Sequence, residues 1–583
     1  MIHKIVLISL LLISFSFANA QSEKTDAVYE EMTKEYTLNS DGSYTYHYGY
    51  KLLINSYYAF HNLYGEDFII YDPVWQKLKI NRSITTMADG KQVASPENAF
   101  NELLPSFAAN VPAWNRLREM VVTHTALERG SVVDFDYQLT SAKGYTPLMA
   151  ANEILMFNSP VKKLNFIINV PSGATFNYEA YACNVKPTIV KKAGKTTYTW
   201  NFTDVASALR EDFRPREQYN KPRIVFAAAT KNTDGITGFA ASVANGCVAD
   251  ELIKQKSELL ANQANTPLLK TLKLRDFVAN ELNTWQIPLL NTGYRTRTTT
   301  EIWNSNGGTE AEKVILLTAM LRSVNIQAEP VAVLPERYYT KKTASPALFE
   351  RLLVKVTLQG MDPVYISAIS SDQQDLGVSL GGKRIISLTA GKNQQTELLS
   401  ETKNELSLSG KLELGADLSL KGNMDIKLAG RLNPWLKTQK DSSSVQTFLA
   451  GSLNNTKVSN IRKGIQDKDI SSFNFDYVSG NQVTEKAGYV FLRFPTSTSG
   501  AESWHMTELL SQRTEPFEIP FAIHETEDIF IQLPIGMNLL TQTDATKIEN
   551  EFGSIELSAT FRYTGSEGIQ GRALETTHPS RIV

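Results

Sequence analysis

The stretch NSNGGTEAEKVILLTAMLRSVNI, residues 304–326, sets two glycines directly before a long apolar run. Thr309 followed three positions later by Glu312 forms a capping box, in which hydroxyl and carboxylate satisfy each other's backbone N–H groups. Val314, Leu317, Leu321 and Val324 then recur at helical spacing. Ile315, Leu316, Ala319 and Met320 make the neighbouring faces apolar, which predicts a helix buried on most sides. The first turn of such a helix carries free N–H groups and the positive end of the macrodipole, so it can lower the pKa of a thiol or hold an anion. Here that turn carries Glu310 and no cysteine.

Other residues able to do chemistry are sparse. Cys183 and Cys247 are the two cysteines. An oxidising compartment could join them, and two separate buried thiols fit the sequence as well. His47, His61 and His124 lie in the N-terminal region at spacings that match no helical metal motif, so neither a metal nor a cofactor is expected. GGTE at 307–310 lacks the Gly-Lys-Ser/Thr ending that cradles phosphates. A nucleophile elbow of the α/β-hydrolase kind is not expected either. Residues 57–75, YYAFHNLYGEDFIIYDPVW, are dense in aromatic rings. Such rings fill strand cores or, where exposed, stack on sugars and anchor partners.

At 583 residues the chain exceeds one core, and about two to four domains are expected. Residues 1–20 join a short basic start (His3, Lys4), the apolar run IVLISLLLISFSF and the small-residue end Ala18-Asn19-Ala20, the pattern of a secretory signal peptide. The mature chain is then expected to begin at Gln21, exported to the periplasm or secreted. No cysteine adjoins the cleavage point, so a lipid anchor is not expected there. No later stretch reaches the roughly 18 consecutive apolar residues of a membrane helix. With 59 basic and 61 acidic side chains and no dense Lys/Arg run, nucleic acid is not expected as a partner.

These residues must be positioned by a chain that changes character twice. Residues 21–235 read as strands, for example SYTYHYGYKLLI and GSVVDFDYQL, broken by Asp41-Gly42, Asp89-Gly90 and Pro171-Ser172-Gly173. That pattern predicts hairpins in an antiparallel, sandwich-like domain. Residues 240–400 turn to helices, such as LLKTLKLRDFVANELNTW, followed by the strands AEPVAVL and RLLVKVTL, an α+β region. From 401 to 583 strands return. In LSLSGKLELGADLSLKGNMDIKL every even position from Leu406 to Leu428 is apolar or glycine, so one sheet face is expected to stay buried, with the glycines at bends or turns. Outer-membrane barrel strands alternate similarly, but the tail to Val583 is less regular and short for a barrel. A C-terminal β-sandwich-like domain is expected instead, which makes the whole a multidomain, mostly β chain with one α+β domain.

The segment GTEAEKVILLTAMLRSVNIQAEPVAVL resembles the transglutaminase-like superfamily, whose papain-like core sets a nucleophilic Cys at the start of a buried helix, with His and Asp on the following strands. Residues 21–235 resemble a bacterial domain of unknown function that precedes such cores in exported proteins. That likeness rests on KEYTLNSDGSYTYHYGYKLLI, YDPVWQKLKI, DGKQVASPENAFNELLP and LERGSVVDFDY. Together the two likenesses span about residues 30–370. The resemblance puts the family's Cys on Glu310, its His on Arg351 in FERLLVKV and its Asp on Ser367 in PVYISA. No cysteine follows Cys247 and no histidine lies between His124 and His505, so the core supplies no Cys–His pair in any register.

Acyl transfer through a thiolate needs a nucleophile with an adjacent base. The expectation is therefore an exported, non-catalytic protein whose degenerate core is a scaffold or binding module for peptide, glycan or an envelope partner. The alternative is a hydrolase or acyl-transfer enzyme with its catalytic residues outside the expected triad.

Overall fold

A computed structural model describes residues 25–558 and the strand 575–578, apart from 209–210, 231–234, 372–375, 390–394, 440–441, 455, 507–512, 535, 538–539 and 541–544. Residues 1–20, expected from the sequence to be a signal peptide, lie outside the described residues. The chain is mostly β and divides into two units, residues 1–209 with 221–233 and residues 210–220 with 234–583. Among the described residues no helix is long and apolar enough to cross a membrane.

The first unit is built on an eight-stranded sheet. Its strands run, edge to edge, Thr188–Lys192, Lys195–Val205, Val161–Pro171, Ala27–Leu38, Tyr44–Ile54, Val132–Ser141, Gln76–Thr86 and Gln92–Ala94. Two three-stranded sheets pack on it, one of Thr175–Tyr181, Arg223–Ala229 and Met149–Ile154, the other of Glu66–Tyr71, Arg118–Thr123 and Phe100–Leu103. Leu52, Phe135, Phe166, Trp200 and Phe226 are fully buried at their junction.

The expected hairpins form at Asp41-Gly42 and Asp89-Gly90, where Gly42 (φ 91°) and Gly90 (φ 87°) take the left-handed conformation the turns need. Two expectations need correction. Pro171-Ser172-Gly173 does not close a hairpin; it carries the chain from the large sheet to a strand of a three-stranded sheet. Nor is the large sheet wholly antiparallel: Ala27–Leu38 lies parallel to Val161–Pro171, with Met32 opposite Leu164. The long intervening chain supplies the crossover that a parallel pair requires.

In the second unit a five-stranded sheet runs Val364–Ile366, Arg351–Thr357, Gln327–Pro335, Lys383–Ser387 and Thr396–Leu398. The helix Glu310–Ser323 packs on this sheet and against helices Gly235–Gly246, Glu251–Ala261, Pro267–Asp276 and Thr299–Asn304. An eight-stranded sheet follows, in the order Lys457–Gln466, Ile470–Ser479, Leu420–Ala429, Glu405–Leu414, Ile523–Gln532, Glu575–His578, Gly553–Leu557 and Thr546–Asn550.

The alternating segment forms the hairpin Glu405–Leu414 and Leu420–Ala429, and Leu406, Leu408, Leu412, Leu414, Leu420, Met424, Ile426 and Leu428 are all buried on one face. Only some glycines behave as expected. Gly415 opens the turn, its N–H donating to Ser419 O at 2.8 Å. Gly410 and Gly422 sit within the strands instead, opposite Met424 and Leu412. A Cβ on Gly422 would stand 2.1 Å from the Lys411 carbonyl, so close approach of the two strands, not a bend, requires glycine there.

Glu525 and Glu527, two positions apart on Ile523–Gln532, are both buried. Each carboxylate accepts one backbone N–H at 2.8 Å, Glu525 from Ala501 and Glu527 from Ser497, and so holds the segment between those residues against the strand. Burial, with Glu525 and Glu502 adding repulsion, pushes Glu527 up to about 7.

Candidate functional site

The entrance to the Glu310–Ser323 helix is fixed from several directions. Gly307 and Gly308 form a two-residue parallel bridge with Asn283 and Thr284. A Cβ on Gly307 would lie 2.9 Å from Asn283 Cβ and 3.1 Å from the Trp285 ring, and one on Gly308 would lie 2.9 Å from Glu312 Cβ. Glycine is needed at both for that reason. The capping box forms as expected: Thr309 N donates to Glu312 Oε2 at 2.9 Å, and Glu312 N to Thr309 Oγ1 at 3.4 Å. Residues Ala311 to Leu321 are all buried.

Glu312 is fully buried and paired with Arg297, whose Nε and Nη2 donate at 2.8 and 3.0 Å. Arg297 also donates to Gly307 O at 2.9 Å and lies 4.6 Å over the Trp285 ring. The next residue, Lys313, is also fully buried and donates to Leu282 O at 3.0 Å, Ala279 O at 3.3 Å and Thr284 Oγ1 at 2.6 Å. All three acceptors are neutral, and burial pulls the ammonium down to about 8. Arg297, Trp285 and Lys313 were missed at the level of sequence, because each acts through a partner far along the chain.

Glu310 is half-buried at the first helical position. Its Oε1 accepts the amide of Leu352 at 3.3 Å. Pairing between Arg351–Thr357 and Val364–Ile366 begins only at Val354, so the neighbouring strand gives Leu352 no partner and the carboxylate takes that place. Burial pushes Glu310 up to about 7, while the Leu352 amide and the positive charge of Arg351 pull the other way. Arg351 is half-buried, and its side chain makes no hydrogen bond or ion pair among the described residues. Ser367 follows Val364–Ile366, one register step past the pair Val354 and Ile366, and its Oγ accepts the Ile369 amide at 3.2 Å. Glu310 and Arg351 are therefore brought together, Ser367 sits at the end of the adjacent strand, and its hydroxyl is held by its own loop.

The thiols stand apart from this arrangement. Both are free. Cys247 is buried, donates to Val243 O at 3.2 Å and is pushed up to about 11 by burial, so it stays a thiol. Cys183 bonds Val185 O at 3.5 Å. The expectation about a nucleophile elbow needs a correction at the level of sequence: Gly377-Val378-Ser379-Leu380-Gly381 has the Gly-x-Ser-x-Gly spacing. It forms the 3₁₀ turn Val378–Leu380 leading to a strand, not a strand–turn–helix, and no histidine lies between 124 and 505 to serve it. A cavity of about 830 Å³ in the second unit, lined by Val378, Arg431, Phe517, Phe521 and Ile548, includes none of Glu310, Arg351 and Ser367.

In the first unit His47 is held between Asp136 at 2.7 Å and Glu35 at 3.4 Å, and those carboxylates, Glu35 foremost, raise it to about 9. His124 bonds Asp67 at 2.8 Å and Ser83 at 3.3 Å. Of the aromatic stretch, Ile69 and Tyr71 are buried, whereas Tyr57, Tyr58 and Phe68 are more than half exposed, with the His61 ring 3.9 Å from that of Tyr57.

Fold and site define a multidomain, mostly β protein with an α+β core organised on a buried helix whose entrance holds a carboxylate. Residues 40–208 match the domain of unknown function DUF3857, and residues 489–565 match a second, DUF3858. A provisionally named protease from Parabacteroides distasonis is similar over 95% of this chain and 93% of its own, at 27% identity and a TM-score of 0.67. A provisionally named cysteine protease from Cytophaga hutchinsonii aligns over 43% of this chain and 83% of its own, at 9% identity and a TM-score of 0.20. An M1 zinc metallopeptidase from Deinococcus radiodurans aligns over 34% and 42%, at 9% identity and a TM-score of 0.19. The fold assignment rests on the first of these. No curated protein matches.

Proposed function

We propose that the chain is an exported, non-catalytic protein, led by a signal peptide at 1–20, in which residues 240–400 form a degenerate transglutaminase-like core. That core serves as a binding module or scaffold for peptide, glycan or an envelope partner, and a C-terminal β domain follows from about residue 401. The observation that carries this reading is Glu310 at the entrance of the buried helix, bonded to Leu352 beside Arg351. A thiolate mechanism needs a sulfur and a base. Glu310 has no sulfur, and a guanidinium does not give up its proton. Among the ligands peptide is favoured, because the 27%-identical relative is named for protease action, and a core that loses its nucleophile and base can keep its peptide contacts.

One observation favours a second reading, a hydrolase or acyl-transfer enzyme working outside the Cys–His–Asp pattern. A carboxyl raised to about 7 can give and take a proton near neutral pH.

A thermal-shift series on residues 21–583 against peptides, peptidoglycan fragments and glycans tests both, since a ligand of the native state raises its apparent stability. A shift lost in Glu310→Gln or Arg351→Ala supports binding at the helix entrance. Turnover of a shifting ligand, lost in Glu310→Gln, supports the hydrolase. No shift across the panel removes the peptide and glycan ligands and leaves a protein partner, sought by pull-down.

A further inference from the structure

In the first unit, the core-facing side of the eight-stranded sheet changes character along its strands. Met32, Tyr50, Leu52, Val133 and Phe135 are buried there. Farther along, the same alternation brings Lys34, Tyr36, Tyr46, Tyr48 and Tyr137 onto the same side, since Lys34 lies opposite Tyr48, Tyr36 opposite Tyr46 and Tyr48 opposite Tyr137. Each of these is only half-buried although it faces inward, so solvent reaches this part of the sheet. The rings adjoin, Tyr36 to Tyr46 at 4.8 Å, Tyr48 to Tyr137 at 5.8 Å and Tyr46 to Tyr137 at 6.2 Å.

A carboxylate reaches this region from each covering sheet. Glu153, on Met149–Ile154, accepts Lys34 Nζ at 2.7 Å and Tyr36 OH at 2.5 Å. Asp67, on Glu66–Tyr71, bonds Tyr50 OH and His124 Nε2. Burial foremost, with both carboxylates adding to it, raises Tyr48 and Tyr137, so these phenols keep their protons. Yet the hydroxyls of Tyr46 and Tyr137 have no hydrogen-bond partner among the described residues, and that of Tyr48 meets only Met32 Sδ at 3.9 Å. None of these three hydroxyls is sealed from solvent, so water meets them in the free protein and a ligand hydroxyl can take its place.

We propose that this tyrosine-lined part of the first unit is a binding site for a neutral saccharide. The chemistry selects that class. An anion would meet two carboxylates. A cation would find both already engaged, Glu153 by Lys34 and Asp67 by Tyr50 and His124. A purely apolar ligand would leave the phenols unpaired. Ligand hydroxyls can donate to and accept from Tyr46, Tyr48 and Tyr137 while sugar faces pack on the rings.

Calorimetric titration of the full chain with chitotetraose, cellotetraose and maltotetraose tests this, beside Tyr46→Phe and Tyr137→Phe, which remove one hydroxyl and keep the ring. The expected result is saturable binding of at least one oligosaccharide, weakened about tenfold in either variant, the loss of roughly one good hydrogen bond at about 1.4 kcal/mol. Circular dichroism and melting of each variant establish that it is folded. Absence of binding by all three sugars overturns the proposal, as does binding that both folded variants retain in full. A rise in melting temperature in the variants without any sugar binding would show that the hydroxyls are merely unpaired.

Discussion

The carboxylate of Glu310 accepts the main-chain amide of Leu352 at 3.3 Å, so the first turn of a buried helix is tied to the start of a strand some forty positions later in the chain. That bond engages one carboxylate oxygen, Oε1, with the protein's own backbone.

If this position is the family's cysteine position, restoring the sulfur alone should not restore chemistry. Glu310→Cys is expected to show no thiol-dependent acyl transfer or peptide cleavage, because Arg351 beside it cannot serve as a base and no histidine lies between 124 and 505. Release of a chromogenic amide by the purified variant, abolished by a thiol-blocking reagent, would sink the assignment.

Thr309 gives the helix its cap. Thr309→Ala is expected to destabilise the second unit by about 1 kcal/mol, whereas Thr309→Ser should cost little. Urea melts of the two variants make the comparison, and equal midpoints would argue against the cap.

Arg297 and Glu312 form a pair whose acid is fully buried. Arg297→Ala should cost about 3 kcal/mol, since it leaves a buried carboxylate without its counter-charge. The double variant with Glu312→Gln should recover part of that loss. A single-variant cost below about 1 kcal/mol would mean that solvent reaches Glu312 on demand.

Between about pH 5 and pH 8 stability should fall as pH rises. Glu527 titrates at about 7 in the fold against an ordinary 4.5, so it favours the folded state most below 4.5 and loses that contribution as pH rises through about 7. His47, raised from 6.5 to about 9, acts with the same sign over a later window, its contribution lost as pH rises through about 9. Differential scanning at pH 5 and pH 8 should show a lower melting temperature at pH 8, and Glu527→Gln should reduce the difference. A variant with the full wild-type pH dependence would remove Glu527 from the explanation.

What could be read from the sequence was local. The Thr309 and Glu312 box, the buried helix after it and the hairpin from Leu406 to Leu428 each depend on residues a few positions apart, and each forms as expected. The parallel placement of Ala27–Leu38 beside Val161–Pro171 could not be read, because nothing in either strand encodes its distant neighbour. Arg297 likewise reads as an ordinary surface charge until Glu312 is folded against it. Lys313 stands in the same apolar helix, and the carbonyls of Ala279 and Leu282 with the Thr284 hydroxyl, all distant in sequence, explain its burial. The glycines at 410 and 422 are ambiguous in the sequence, because a turn and a close approach demand the same residue.

The mid-sheet position of Ala27–Leu38 also sets an order of assembly. As the chain emerges from its N-terminus, this strand can pair at once with Tyr44–Ile54, but its other edge stays unfilled until Val161–Pro171 arrives much later. A long exposed edge during that interval is a template for pairing with other chains. Such high-contact-order closure is also slow. The first unit should therefore depend on a holding chaperone during its biogenesis more than its finished, paired sheet would suggest.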